Sequence, residues 1–591
     1  MLGVALVAGI GEGHGPVVGL VAVMGWLLTA GALAGVYVGA SVGMGVVGMA
    51  CVERVACGVV LREPERLWLA AALGLALMLT VSHGIGWAGG LVHPVGVFGP
   101  VVVGLVGLGV VVGRGLRGVG VGGGVGGGGG VWFGRPRLRV STLASVVGVV
   151  VMVVASCSMP GWLWGSEFGG FDSLSYHLQL PREWLEGGRI VPLAHNVYSY
   201  LPSYMEGAFT HLGAMWGIVM EGGAAGGMLA GDGEALVASQ LLHAWCAVLA
   251  AGLIGRCADR AARMAGLQER ACGAARMMAW AVVLVTPWTV VVGSMAYNEM
   301  GMVALGAAGM LVAMRVEDEG EEEGGWVGGW GGVRKGALAG MFVGGACCCK
   351  PTALFMVGPV VGLMLLATTC MGRGGARLGG RVWWRAVLGW SVAGCVMGVL
   401  MLLPWLVRNW MHGGNPVFPQ MTGVFGSAHW TAEQVLRYRA AHHSDLSVLG
   451  RFALLVLPTG DPSLPAGMVA QRGLLHAQFF GFLPLVLVAV GGMAMSRWRR
   501  RLMRPMVLLV LGGCAQVCAW ALLTHLQARF LVPVLLVGSP LVGLAMAMAV
   551  SERGMGEGVE SVAGGVGGGR RSMRVRRRLL MGALNVGVVV Q

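Results

Sequence analysis

Charge is what this sequence has least of. Only 12% of its 591 residues are Asp, Glu, Lys or Arg, against 56% hydrophobic, whereas soluble domains carry about 25% charged residues. That shortfall, with a positive mean hydropathy, excludes an ordinary soluble domain and leaves an integral membrane protein. Familiar motifs are missing too. No P-loop, no G-x-G-x-x-G in a strand–helix setting, no G-x-S-x-G and no H-E-x-x-H stands out, so cytosolic ATP-driven pumping and intramembrane zinc proteolysis lose support. Most of the 13 Cys lie within or beside apolar segments, among them Cys246, Cys347, Cys348, Cys349, Cys395, Cys514 and Cys518. No disulfide framework is expected, and no Cys/His spacing reads as a zinc site.

What is present is a long series of apolar runs. A helix needs about 20 apolar residues to cross the hydrocarbon, and only helices satisfy their own backbone there. Candidate spans are 15–33, 34–52, 67–83, 95–113, 140–157, 234–255, 277–294, 297–314, 336–349, 353–371, 387–405, 479–495, 505–523 and 530–549. The sequence therefore predicts an all-α polytopic membrane protein of about 12–16 transmembrane helices. The first stretch has no basic leader or convincing cleavage site and reads as a retained anchor. Leu579 to Gln591 is apolar but too short to span. The abundant Gly reads as close helix packing.

The loops set the orientation. Of 41 Lys and Arg, nine fall in one alternate set of loops, and the positive-inside rule makes that sparse side the outer one. Basic inner segments include 114–139, 256–276, 373–385, Arg497 to Arg501 and the tail around 570–578. The two long outer loops, 158–233 and 408–478, are poor in cations for their size. The net charge of +14 is spread over short loops, so anionic inner-leaflet lipid is the expected partner and nucleic acid is not. The Gly-rich 118–130 and the acidic Glu321 to Glu323 read as inner linkers. Pro202 to Met220 is expected to lie along the outer interface, since a crossing there would move the Arg-rich 256–276 outside.

The chemically interesting residues collect on the outer side. Asp172 follows a Trp collar, Trp162 and Trp164, where a half-shielded carboxylate can keep a raised pKa and act as a general base; its plainer reading is a helix cap. Tyr176 shares its face if the stretch is helical, with His177 next. Glu299 comes level with Asp172 on another helix. It reads as an orienting partner, as one of two acids sharing a divalent cation, or as an acid favoured by its own helix dipole. Lys350 interrupts an apolar stretch of about 36 residues, where a cation costs about 2.5–3.5 kcal/mol. That cost asks for an anion such as a phosphate, with Pro351 breaking the helix behind it. Arg529, beside His525 and Gln527, and Arg408 repeat the logic from other helices, against the plainer reading of snorkelling to headgroups. His442, His443, Asp445 and Asp461 are scattered in the second long outer loop, which is expected to shape an acceptor site.

The segments Phe171-Asp172-Ser173-Leu174-Ser175-Tyr176-His177-Leu178-Gln179-Leu180-Pro181 with Trp184 and Gly188, and Asn196-Val197-Tyr198-Ser199-Tyr200-Leu201-Pro202, resemble the first outer loop of bacterial membrane glycosyltransferases of the GT-C fold. These are the family 39-like group related to protein O-mannosyltransferases and the lipid A aminoarabinose transferase. Ala296-Tyr297-Asn298-Glu299, Lys350-Pro351-Thr352-Ala353-Leu354, Pro404 to Asn409 with Gly414 to Pro419, and Ala528 to Pro533 are similar to later segments in the same order. The resemblance implies a GT-C-like helical bundle with juxtamembrane helices in the first outer loop. It divides the chain into an N-terminal transmembrane extension with a Gly-rich inner linker (1–139), a catalytic core (140–550) and a basic inner tail (551–591). It implies a multi-pass inner (plasma) membrane enzyme that moves a sugar from a polyprenyl-phosphate donor to a lipid, glycan or protein acceptor at the extracytoplasmic face, with inversion. By the same resemblance Asp172 is the base, Glu299 assists, Lys350 and Arg529 hold the phosphate, and Tyr176 and His177 contact substrate. Three features depart from the family pattern: Glu at 299 where Asp is usual, a single acid in the first-loop motif, and extra N-terminal spans. They leave a divalent cation open. The alternatives are a lipid or polysaccharide transporter, which needs midplane polar groups or inverted repeats, and a non-catalytic membrane assembly protein.

Overall fold

The computed structural model describes residues 16–55, 65–120, 140–157, 170–220, 233–315, 330–370, 380–455, 481–496, 499–560 and 579–588, with isolated positions at 163, 222–223, 473–474 and 476–479. Trp162, Trp164, most of the Gly-rich linker, Glu321 to Glu323, Asp461 and the basic tail from 561 to 578 lie outside the described residues. The chain is an all-α polytopic membrane protein, with no β-strand among the described residues.

In chain order the helices are α1 (Pro16–Leu28), α2 (Ala30–Val55), α3 (Glu65–Trp87), α4 (Pro94–Gly120), α5 (Val140–Ser156), α6 (Gln179–Glu186), α7 (Tyr204–Met220), α8 (Glu234–Met264), α9 (Glu269–Val285), α10 (Pro287–Gly293), α11 (Glu299–Ala313) and α12 (Trp330–Cys349). They continue as α13 (Ala353–Met356), α14 (Gly358–Cys370), α15 (Gly380–Gly413), α16 (Thr422–Phe425), α17 (Ala432–His442), α18 (Val448–Ala453), α19 (Phe482–Ala494), α20 (Arg499–Leu523) and α21 (Leu535–Glu560). Among the described residues eight helices are long and apolar enough to cross a membrane, or nine if α9 and α10 are one bent span. The larger expected number is approached only by adding shorter apolar helices such as α5, α11 and α19.

Helix α11 is the axis of the bundle, and every one of its residues is buried. Around it pack α8, α12 and α14. Two prolines decide where the neighbouring helices stop, because the residue before proline is driven out of the α-helical region. Thr286 is extended ahead of Pro287, so α9 and α10 meet at a 60° bend. Pro351 likewise ends α12 and leaves Lys350 just past its last turn.

The glycines act by proximity. A Cβ on Gly336, Gly340 or Gly344 of α12 would fall 2.3, 2.1 or 2.7 Å from the backbone of Trp390, Gly394 or Gly398 of α15. Small residues at this four-residue spacing let two backbones meet without a hydrophobic driving force. Gly340→Leu should therefore cost at least the ~1–3 kcal/mol of an overpacked core. Thermal unfolding checks this against Gly362→Ala, where nothing lies within 4 Å of the new carbon and the effect should be neutral or slightly stabilising.

The N-terminal helices join the bundle through a buried polar chain. Tyr37 Oη is 2.9 Å from Ser82 Oγ, Ser82 Oγ is 2.8 Å from His211 Nδ1, and His211 Nε2 is 2.7 Å from the Val97 carbonyl. The chain thus links α2, α3, α4 and α7. Helix α7 was expected to lie along the outer interface. It is instead enclosed, with every residue from Tyr204 to Met215 buried. Its polar residues point to partners inside the bundle, which gives the sequence an amphipathic look without a solvent face.

At the end of the bundle away from the candidate site, Arg66 grips Glu53 with two bonds of 2.8 and 3.0 Å. There Arg260 meets Glu65 at 2.6 Å and Arg263 meets Asp259 at 2.8 Å. These arginines are thus partly neutralised by acids at the same helix ends.

Candidate active site

Four charged side chains from separate parts of the chain converge at helix ends. Asp172 precedes a π-helical turn at Ser173–His177. Glu299 is the first residue of α11, Lys350 follows α12, and Arg529 lies in a 3-10 turn, Ala528–Val534, ahead of α21. Lys350 Nζ is 2.5 Å from Glu299 Oε1, and Arg529 Nε is 3.1 Å from the same oxygen. The second end of the Arg529 guanidinium, Nη2, donates to Asp172 Oδ2. Each cation also lies over an aromatic ring, Lys350 over Phe530 at 4.5 Å and Arg529 over Tyr297 at 4.8 Å. Two acids and two cations thus form one alternating cluster, which lowers the cost of holding charges away from water.

Exposure separates their tasks. Side-chain exposure is 21% for Asp172, against 9% for Lys350, 3% for Arg529 and 1% for Glu299. Asp172 is the member open to an incoming group. Its side chain makes no cap bond to the following turn, so the plainer reading of Asp172 as a helix cap does not hold. The expectation of a raised pKa is also corrected. Burial works to raise it, but the charge and hydrogen bond of Arg529 outweigh burial and hold the carboxyl below its ordinary range.

Tyr176 donates from its hydroxyl to Asp172 Oδ2 at 3.4 Å, so the two do share a face. Tyr198 stacks on Tyr176 with ring centres 4.5 Å apart, and its hydroxyl titrates above the usual tyrosine range because it is buried and faces the charge of Asp172. His525 is pushed down to about 4, first by burial and then by His442, Lys350 and Arg529. It is a neutral ring beside the cluster at physiological pH. Its ring packs edge-on to Phe530 at 4.7 Å and to His442 at 5.4 Å, which brings α17 to the rim of the site.

His177 and Arg408 are placed differently from expectation. His177 is fully buried, and its Nδ1 lies 2.5 Å from Glu206 Oε1 on α7. Arg408 does not join the four charges. It is fully buried, and donates to the carbonyls of Ser199 and Leu201, each at 2.9 Å, and to Asn409 Oδ1. With Trp405 and Asn409, which both donate to the Tyr200 carbonyl at 2.7 Å, it clamps the segment 199–201 onto α15. A helix-end cation can satisfy itself on backbone carbonyls as well as on an anion, and here it does. The residue missed altogether is Glu206, buried to 1%. Its signal was an acid inside a stretch apolar enough to demand a partner.

The donor set suits an anion better than a metal. Both carboxylates of the cluster are engaged by cations, and among the described residues no group of three or more His, Cys, Asp or Glu could hold a metal ion. Just past α17, His443 and Asp445 form an exposed pair at 3.3 Å, while His442 bonds the Tyr438 carbonyl.

No protein-family model and no curated protein matches the chain. Among solved structures it is similar to the archaeal oligosaccharyltransferase AglB from Archaeoglobus fulgidus in complex with an inhibitory peptide and a dolichol-phosphate. The TM-score is 0.39 at 12% identity, over 78% of this chain and 56% of that one.

Proposed function

We propose that the chain is a membrane glycosyltransferase that moves a sugar from a polyprenyl-phosphate donor to an acceptor hydroxyl at the extracytoplasmic face, with inversion. The observation that carries this reading is the convergence of Asp172, Glu299, Lys350 and Arg529, which lie far apart in sequence. Anchored cations at an apolar bundle end suit a phosphate whose lipid tail stays in the membrane. A partly open carboxylate among them suits proton removal from an attacking hydroxyl.

The chemistry balances with these groups alone. The acceptor oxygen bonds to the anomeric carbon while its proton passes to Asp172. The bond from that carbon to the phosphate oxygen breaks, and its electron pair leaves on the phosphate. Lys350 and Arg529 stabilise the charge that develops there, and Glu299 holds both cations in place. The resting cluster also implies an exchange. The donor phosphate competes with Asp172 for Arg529, so donor binding frees the carboxylate and raises its basicity where the proton must be taken.

A direct test uses a long-chain polyprenyl monophosphate with the full chain in nanodiscs. Saturating lipid at about 100 times its Kd should add about 2.7 kcal/mol of stability by mass action, seen as a raised unfolding temperature. Lys350→Ala with Arg529→Ala should abolish the shift. An equal shift in that double variant, or none in the natural protein, would rule out the phosphate site.

A further inference from the structure

We infer that Glu206 is a positioning residue, which fixes His177 as a wedge between the two aromatic rings that set Asp172 and Arg529. This inference rests on the phosphate-site reading above, and it concerns residues outside the four-charge cluster.

The geometry runs in one connected path. Glu206, in the first turn of α7, accepts from Nδ1 of His177 at 2.5 Å and from the Asn298 amide at 3.4 Å. This short contact to one ring nitrogen fixes the orientation of the imidazole, and a carboxylate or amide oxygen at position 206 can accept from an Nδ1–H. One flank of that ring lies against Tyr176, centres 4.0 Å apart, and another against Tyr297 at 4.8 Å. Tyr176 is the residue that donates to Asp172, and Tyr297 carries the Arg529 guanidinium on its face. The imidazole therefore touches the support of the base and the support of the phosphate-binding cation together. Asn298 adds a second tie, since it adjoins Glu299 and donates to the same Glu206 oxygen.

Burial makes the pair informative. His177 and Glu206 side chains are 0% and 1% exposed. His177 Nε2, Glu206 Oε2 and Asn298 Oδ1 have no hydrogen-bond partner among the described residues. An unsatisfied buried group is expensive, so holding this pair away from water carries a cost. What the arrangement gains for that expense is a ring held from one nitrogen, with orientation set to the site and not to solvent.

The test is affinity for a long-chain polyprenyl monophosphate, measured on the full chain in nanodiscs. Glu206→Ala should weaken binding about tenfold, whereas Glu206→Gln, which keeps an oxygen for Nδ1–H, should stay within about threefold of the natural protein. Equal impairment of the two variants, or an Ala variant that binds within about twofold of the natural protein, would overturn the inference. If the Ala variant does not fold, the His177 Nδ1–H resonance in nitrogen-15-labelled natural protein decides. It should move when the lipid phosphate is added and be displaced in Glu206→Gln, and an unmoved resonance would refute the coupling. Loss of the phosphate-site reading has a different pattern: the natural protein fails to bind, or Arg529→Ala binds as well as it does.

Discussion

Asp172→Asn is expected to lower turnover by about 10²–10⁴-fold, the usual worth of a positioned general base, while binding of polyprenyl monophosphate persists. The readout is polyprenyl phosphate released from a panel of polyprenyl-phosphate hexoses and pentoses, with a membrane extract supplying acceptors. Asn keeps the volume and can still meet Arg529, so insertion and folding should survive. Binding should be retained or tightened, because the neutral amide no longer competes with the donor for Arg529. A non-catalytic assembly protein would be indifferent to the change. Unchanged turnover in Asp172→Asn would remove the base from the mechanism and leave the cluster as scaffolding.

The same ion pair fixes a pH dependence. In the free protein the Asp172 carboxyl titrates below its ordinary range: burial opposes this, but Arg529 prevails. A lowered folded-state value means that the carboxylate and its ion pair are present above the unfolded value near 3.9 and are lost only as pH falls through the lower folded value. The acid limb of kcat/KM, which reports the free enzyme, should therefore lie below an ordinary aspartate titration. Once the donor phosphate has drawn Arg529 away, the carboxyl loses its main cation. The acid limb of kcat should then stand at higher pH than that of kcat/KM. Coincident limbs would mean that Arg529 does not leave Asp172 when donor binds.

Much of this site was legible in the sequence, for a physical reason. Charges are rare in a chain this apolar: Glu299 and Arg529 stood at the edges of hydrophobic runs, Lys350 interrupted one and Asp172 followed a Trp collar, all places where an ion must find a partner or leave the membrane. What the sequence could not show was which partner each would find. Lys350 was read as awaiting a phosphate, and it already holds Glu299. Arg408 looked equivalent to Arg529, yet one grips backbone carbonyls and the other two carboxylates. The pKa of Asp172 turned on a guanidinium 357 residues away. Glu206 was hidden because α7 read as a surface helix, and only the packing of α7 against α3 and α8 shows that its acid points inward.

Arg529→Ala should reduce turnover by about 10²–10³-fold, the loss seen when one preorganised donor is removed from a developing oxyanion. Lys350→Ala should do the same through the other cation. Their combined loss should fall short of the product, because residues acting as a unit are non-additive. The two single variants are expected to differ in binding. Arg529 bridges Asp172 and Glu299, and its removal leaves Asp172 without its cation while Lys350 still neutralises Glu299. Removal of Lys350 leaves Arg529 shared between two carboxylates and less available to a phosphate, so affinity for polyprenyl monophosphate should fall further in that variant. Arg529→Lys is the informative conservative change. A single ammonium cannot reproduce the fork that spans Glu299 at one end and Asp172 at the other, so it should restore phosphate affinity in larger measure than turnover. Full recovery of turnover by Lys would show that position 529 supplies charge alone, and the exchange of Arg529 between Asp172 and the donor phosphate would then have no part in the reaction.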